Sequence, residues 1–64
     1  MLYPNIEFER IKNRLTRKAL AEKLGVSVRT YSRWLEQGAI PAGALVKLAK
    51  ITAQSIDYLL KGTP

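Results

Sequence analysis

The sequence predicts an all-α fold, a compact bundle of five short helices in a single domain over residues 1–64. Three observations predict it. Apolar residues recur at helical spacing, and nowhere do they alternate with the period of two that marks a half-buried strand. Residues that favour helix N-caps, Thr16, Ser27 and Ser55, stand just before periodic segments. Glycines at 25, 38 and 62 stand just after them, where a left-handed residue commonly ends a helix.

The first helix is expected to begin after Pro4, with Asn5 as its cap and Glu7 and Glu9 suiting the positive end of the helix dipole. Phe8, Ile11 and Leu15 fall on one face. Ile6 falls off that stripe and is left for the C-terminal helix or for a partner. The second helix spans about 16–24. Thr16 caps it, Leu20 and Leu24 share a face with Ala21 beside them, and Lys18, Glu22 and Lys23 point away. The third spans about 28–37, after the Ser27 cap. It divides into an arc of Thr30, Tyr31, Trp34 and Leu35 and an opposite arc of Val28, Arg29, Ser32, Arg33 and Glu36. The first arc places Tyr31 and Trp34 in the core.

Pro41 suits the first turn of the fourth helix. That helix has a narrow polar stripe, Gly43, Lys47 and Lys50, and is otherwise apolar enough to be enclosed by several neighbours. In the fifth helix Ser55 is the cap, Asp57 lies in the first turn, and Ile56, Leu59 and Leu60 form the buried side. Gly62 ends it, leaving Thr63 and Pro64 as a stub.

Composition narrows the function classes. The chain has no cysteine and no histidine. It therefore lacks disulfides, thiolate metal sites and the commonest general base, and neither a metal nor a cofactor is expected. A core must come from helix packing, which 47% hydrophobic residues make feasible. No apolar run approaches the roughly 18 residues of a membrane span. No leader pattern opens the chain, so a cytoplasmic location is expected. The carboxylates Glu7, Glu9, Glu22, Glu36 and Asp57 all have ready roles in capping or on solvated helix faces. No nucleophile–base pair, metal cluster or glycine-rich phosphate loop is visible, so an enzyme is not expected.

The placement of charge is more informative than the net +6. Arg10, Lys12, Arg14, Arg17, Lys18, Lys23, Arg29 and Arg33 fall in one segment whose sole acid is Glu22. The rest of the chain holds three bases, Lys47, Lys50 and Lys61, against four acids. Those three lysines read as solvated surface. The basic excess is confined, as a polyanion-binding face requires.

The segment from Arg17 to Glu36 makes this specific. Two helices joined by a short glycine-containing turn must cross steeply. The crossing needs a small residue, here Ala21, a residue free to turn left-handed, here Gly25, and apolar anchors, here Leu20, Leu24, Val26, Tyr31 and Trp34. The run Thr16-Arg17-Lys18-Ala19-Leu20-Ala21-Glu22-Lys23-Leu24-Gly25-Val26-Ser27, followed by Tyr31, Trp34 and Pro41, resembles the Cro/phage-repressor type of helix-turn-helix regulator, the lambda-repressor-like XRE family. Leu45, Leu48, Ala49, Ser55-Ile56-Asp57-Tyr58-Leu59-Leu60 and Gly62 are similar to its fourth and fifth helices, so the likeness covers almost the whole chain. The chain departs from that pattern in four places. Arg17 replaces a glutamine that braces the recognition helix and touches phosphate. Tyr31 replaces a smaller β-branched residue, Leu35 replaces a common glutamate, and Ala53-Gln54 replaces a frequent Gly-Val.

The resemblance implies sequence-specific binding to double-stranded DNA by a repressor or Cro-like regulator, with 28–37 as recognition helix. It implies base contacts from Val28, Arg29, Ser32 and Arg33, with Ser32 alternatively serving only to keep the surface flat. It implies phosphate contacts from Arg17, Lys18, Ser27 and Gln37. A homodimer on DNA is expected, with Val46, Ile51, Tyr58 and Ile6 as candidate interface residues. Two alternatives stand beside this. One is an antitoxin-type module that binds a partner toxin. The other is the DNA-binding domain of a longer repressor, with Gly62-Thr63-Pro64 opening a linker.

Overall fold

The computed structural model describes residues 2–61. Among them are five helices and no strand: α1 (Pro4–Lys12), α2 (Arg17–Leu24), α3 (Val28–Gln37), α4 (Ala42–Thr52) and α5 (Ile56–Leu60). The end of the chain expected at Gly62, with the Thr63 and Pro64 stub, lies outside the described residues.

The local signals for α2, α3 and α5 act as their chemistry dictates. The side chains of Thr16, Ser27 and Ser55 each accept a hydrogen bond from the backbone N–H three residues on, at 3.0–3.1 Å. Each satisfies a donor that the first helical turn leaves unpaired. Gly25 and Gly38 both take φ +76°, closing α2 and α3 in the left-handed region. Pro41 stands at the N-cap of α4, one position before the helix.

α2 packs on α3 more extensively than any other pair, while α4 rests on α1, α2 and α5. The core joins Leu20, Ala21 and Leu24 of α2 to Tyr31 and Leu35 of α3, with Leu48 from α4, Leu59 from α5 and Ile6 from α1. α4 is less enclosed than its composition predicts. Ala44, Leu48 and Thr52 are buried, but Val46 is exposed and Leu45, Ala49 and Ile51 are half-buried. On α5 only Leu59 is fully buried, with Ile56 and Leu60 half-buried.

Two further expectations are corrected. Trp34 is half-buried at the edge of the core, whereas Tyr31 and Leu35 are each 1% exposed and form its centre on this helix. The helical arc is right, but the two residues facing straight inward are Tyr31 and Leu35.

The second correction is the orientation of α1. Phe8 and Ile11 are 59% and 64% exposed, and Leu15 is only half-buried beyond the helix end. Ile6 is 1% exposed and packs in the core, so it offers no surface for a dimer. Glu7 and Glu9 are buried rather than solvated. Asn5 is not the cap: Tyr3 holds that position at φ 58°, and Asn5 Nδ2 donates to the Tyr58 carbonyl at 2.7 Å. The reason is polar. Rotating α1 to bury Phe8 and Ile11 would turn Glu7 and Glu9 away from hydroxyl and guanidinium donors on α2, α3 and α5.

Candidate nucleic-acid interface

α3 positions the candidate reading residues. Its inner arc is anchored by Tyr31 and Leu35, so its outer arc faces solvent. Val28, Arg29 and Arg33 are exposed there, and Ser32 is half-buried between the two arginines. Arg29, Ser32, Arg33, Glu36 and Gln37 line one shallow depression. Leu2 and Tyr3 hold the far end of the helix. Leu2 N–H donates to the Leu35 carbonyl at 2.9 Å, and a Cβ added to Gly38 would stand only 2.7 Å from Leu2 Cδ1.

Lys18, Ser27 and Arg17 do not line this depression. Lys18 is exposed in the first turn of α2. Ser27 is exposed, but its hydroxyl is engaged: it accepts from Thr30 N–H and donates to Thr30 Oγ1, both at 3.1 Å. Arg17 is held. Its Nε and Nη2 donate to Glu7 Oε1 at 3.2 and 3.0 Å, and its Nη1 donates to Ser32 Oγ at 3.3 Å. Arg17 thus braces α3 against α2 through Ser32, at the position where the resemblance leads one to expect a glutamine.

Glu7 is the centre of this support. It accepts from Arg10 Nε at 2.9 Å, from Arg10 Nη2 at 3.1 Å and from the Tyr31 hydroxyl at 2.7 Å, besides Arg17. Arg10 also ties the turn that leads to α2, donating from Nη1 to the Leu15 carbonyl at 2.6 Å. One buried carboxylate therefore joins α1, α2 and α3. Burial alone would raise its pKa. The hydrogen bonds from Arg10, Tyr31 and Arg17 outweigh burial and bring the carboxyl from 4.5 down to about 2. Burial and then the Glu7 hydrogen bond push the Tyr31 phenol well above its ordinary value.

Glu7, Arg10 and Tyr31 were not legible as a site. Their signals were an acid, a base and an aromatic ring where an amphipathic helix or a core is expected to have them. Tyr31 at a position where related sequences carry a smaller residue was the one available hint, because a buried phenol needs a polar partner. The network also redistributes charge. Arg10 and Arg17 share Glu7 as counterion. Among the described residues, Lys12, Arg14, Lys18, Lys23, Arg29 and Arg33 have no carboxylate within ion-pair distance.

A capped helix, a left-handed glycine turn and a second helix with an anchored inner face and a cationic outer face define a helix-turn-helix DNA-binding domain. The family model described as helix-turn-helix matches residues 6–59, and the chain belongs to that family, whose type is that of the Cro and phage-repressor regulators. No curated protein and no solved structure gives a significant match. Among the described residues no helix is long and apolar enough to cross a membrane.

Proposed function

We propose that the protein is a cytoplasmic regulator that binds double-stranded DNA sequence-specifically, as a repressor or Cro-like factor. The observation that carries this is the outer arc of α3, where exposed Arg29 and Arg33 stand four residues apart with Ser32 between them. Two guanidinium groups so placed can enter one major groove together, and arginine bonds guanine through two donors at once. Val28, Arg29, Ser32 and Arg33 are the base-contacting set. Arg17, Lys18, Ser27 and Gln37 contact phosphate. Arg17 is suited to this despite its pairing, because its side chain remains 35% exposed.

The protein acts as a two-fold dimer on DNA, since one such module covers few base pairs. Exposed Val46, with half-buried Ile51 and Tyr58, is the surface proposed for the contact.

The test is selection of bound sequences from a random duplex pool, followed by titration of the selected site and its single-base variants. With about six phosphate contacts, affinity falls roughly a thousandfold between 50 and 200 mM salt. Arg29→Ala and Arg33→Ala each relax preference at particular positions by about 1–3 kcal/mol. Arg17→Ala also lowers the salt slope by about one unit. Binding that is absent, or indifferent to salt, overturns the reading.

A second reading adds a protein partner. Phe8 and Ile11 form an exposed apolar pair on α1, as an antitoxin-type module would present to a toxin. Loss of a toxin's neutralisation by Phe8→Ser with Ile11→Ser, at unchanged DNA binding, would support it.

A further inference from the structure

Ser32 is not a free hydroxyl. It lies in the depression flanked by Arg29 and Arg33, and its Oγ accepts from Arg17 Nη1 at 3.3 Å. The guanidinium that reaches it is clamped from behind, with Nε and Nη2 both on Glu7 Oε1. Glu7 is itself held by Arg10 and Tyr31. Among the described residues the Ser32 O–H has no acceptor. A serine hydroxyl has one proton to give and two lone pairs. With a cation on one lone pair, its oxygen is a poor acceptor for a second donor, and its proton is polarised toward solvent.

We propose that Arg17 is a positioning residue that fixes Ser32 as a hydrogen-bond donor, so that Ser32 selects a base by its acceptor atoms. This rests on the DNA-binding reading above and adds the polarity of one contact. In the major groove guanine presents N7 and O6 as acceptors, and thymine presents O4, whereas cytosine presents only an amino donor. The base facing Ser32 is therefore guanine or thymine, and cytosine is rejected. Adenine, with one acceptor and one donor, falls between. A serine without the guanidinium can accept or donate as the base requires, and it discriminates little.

The experiment uses the full chain and its selected site, with all four bases placed in turn at each position. Ser32→Ala, Arg17→Met and the double variant are compared with the parent. Their folding is checked by cooperative thermal melting. Arg17→Met leaves Glu7 with Arg10 and Tyr31, so the carboxylate stays partnered.

The expected result is one position at which the parent prefers guanine or thymine over cytosine by about threefold to tenfold, the scale of a single hydrogen bond. Ser32→Ala abolishes that preference. Arg17→Met flattens it at the same position and no other, besides weakening all sequences, and adds nothing to base preference in the Ser32→Ala background. The proposal is overturned if Ser32→Ala leaves every preference intact, or if Arg17→Met weakens all sequences equally while the preference at the Ser32 position persists. In both cases the preferences owed to Arg29 and Arg33 remain, so the DNA-binding reading survives. If the parent does not distinguish any sequence, both fall together.

Discussion

The Tyr31 hydroxyl donates to Glu7 Oε2 at 2.7 Å, joining the inner face of α3 to a carboxylate 24 positions earlier on the first helix. Both groups are buried. Removing the hydroxyl alone, by Tyr31→Phe, is expected to cost about 1.5–3 kcal/mol, the range for a hydrogen bond to a charged group. Glu7→Ala removes the common acceptor of three donors and leaves Arg10 without its counterion, so its cost is larger, about 3–5 kcal/mol. Urea denaturation of the two variants gives the order. A Glu7→Ala protein as stable as the parent would show the network to be incidental.

Acid should weaken the fold through the same group. The Glu7 carboxyl is held at about 2 in the fold, against 4.5. A carboxyl lowered on folding stabilises the native state above its unfolded value, and this stabilisation is lost as pH falls from about 4.5 toward about 2. The amount at neutral pH is about 3 kcal/mol. Melting curves across this window should fall steeply for the parent and less so for Glu7→Gln, which starts lower. Parallel curves would place the acid sensitivity elsewhere. On the alkaline side the raised Tyr31 phenol has the opposite sign, with stability lost as pH climbs through its folded value.

Leu35 and Trp34 should separate in mutational cost despite their adjacency. Leu35 is fully buried, and Leu35→Ala is expected to cost about 2–5 kcal/mol. That approaches the whole stability of a domain this small. Trp34 is half-buried, so Trp34→Ala leaves a folded, cooperatively melting protein. Unfolding by Trp34→Ala but not by Leu35→Ala would reverse the placement of the two side chains.

Ala53 ends α4 at φ 57°, a left-handed conformation in which a β-carbon crowds the following carbonyl. Glycine removes that crowding but has more freedom to lose on folding. Ala53→Gly is expected to gain about 0.5–1 kcal/mol net. For a domain of this size a gain of 1 kcal/mol raises the melting temperature by about 4–8 °C. A lowered melting temperature would mean that the strain is absorbed elsewhere.

The features legible in the sequence are those whose cause is local. Thr16, Ser27 and Ser55 bond three residues on, and Gly25 and Gly38 turn the chain where they stand, so pattern and structure agree on α2, α3 and α5. The face of α1 was not legible. Phe8, Ile11 and Leu15 make the better hydrophobic stripe, but the helix is oriented by Glu7 and Glu9. Their partners Arg17, Tyr31 and Tyr58 lie 10 to 49 positions away. A periodicity argument weighs apolar residues against water and assigns no gain to a carboxylate with donors waiting. Trp34 was misjudged for a narrower reason: its arc was correct, but an arc is wider than the two residues at its centre.

The two ends of the described chain are fastened to each other, with Asn5 Nδ2 on the Tyr58 carbonyl across 53 positions and the Tyr58 hydroxyl on Glu9 Oε2 at 3.1 Å. Such a clasp closes the longest loop the fold contains, and loop-closure entropy delays it until the nearer contacts of α2 and α3 have formed. Its release uncovers Leu59 but leaves the bonds around Glu7 untouched. α5 is five residues long, and none of the groups that hold Arg17 or Ser32 belongs to it. The C-terminal side of the clasp can therefore loosen while the Glu7 bonds to Arg17 and Tyr31 stay in place, so the surface carrying Arg29 and Arg33 is held from the first helix and not from the last.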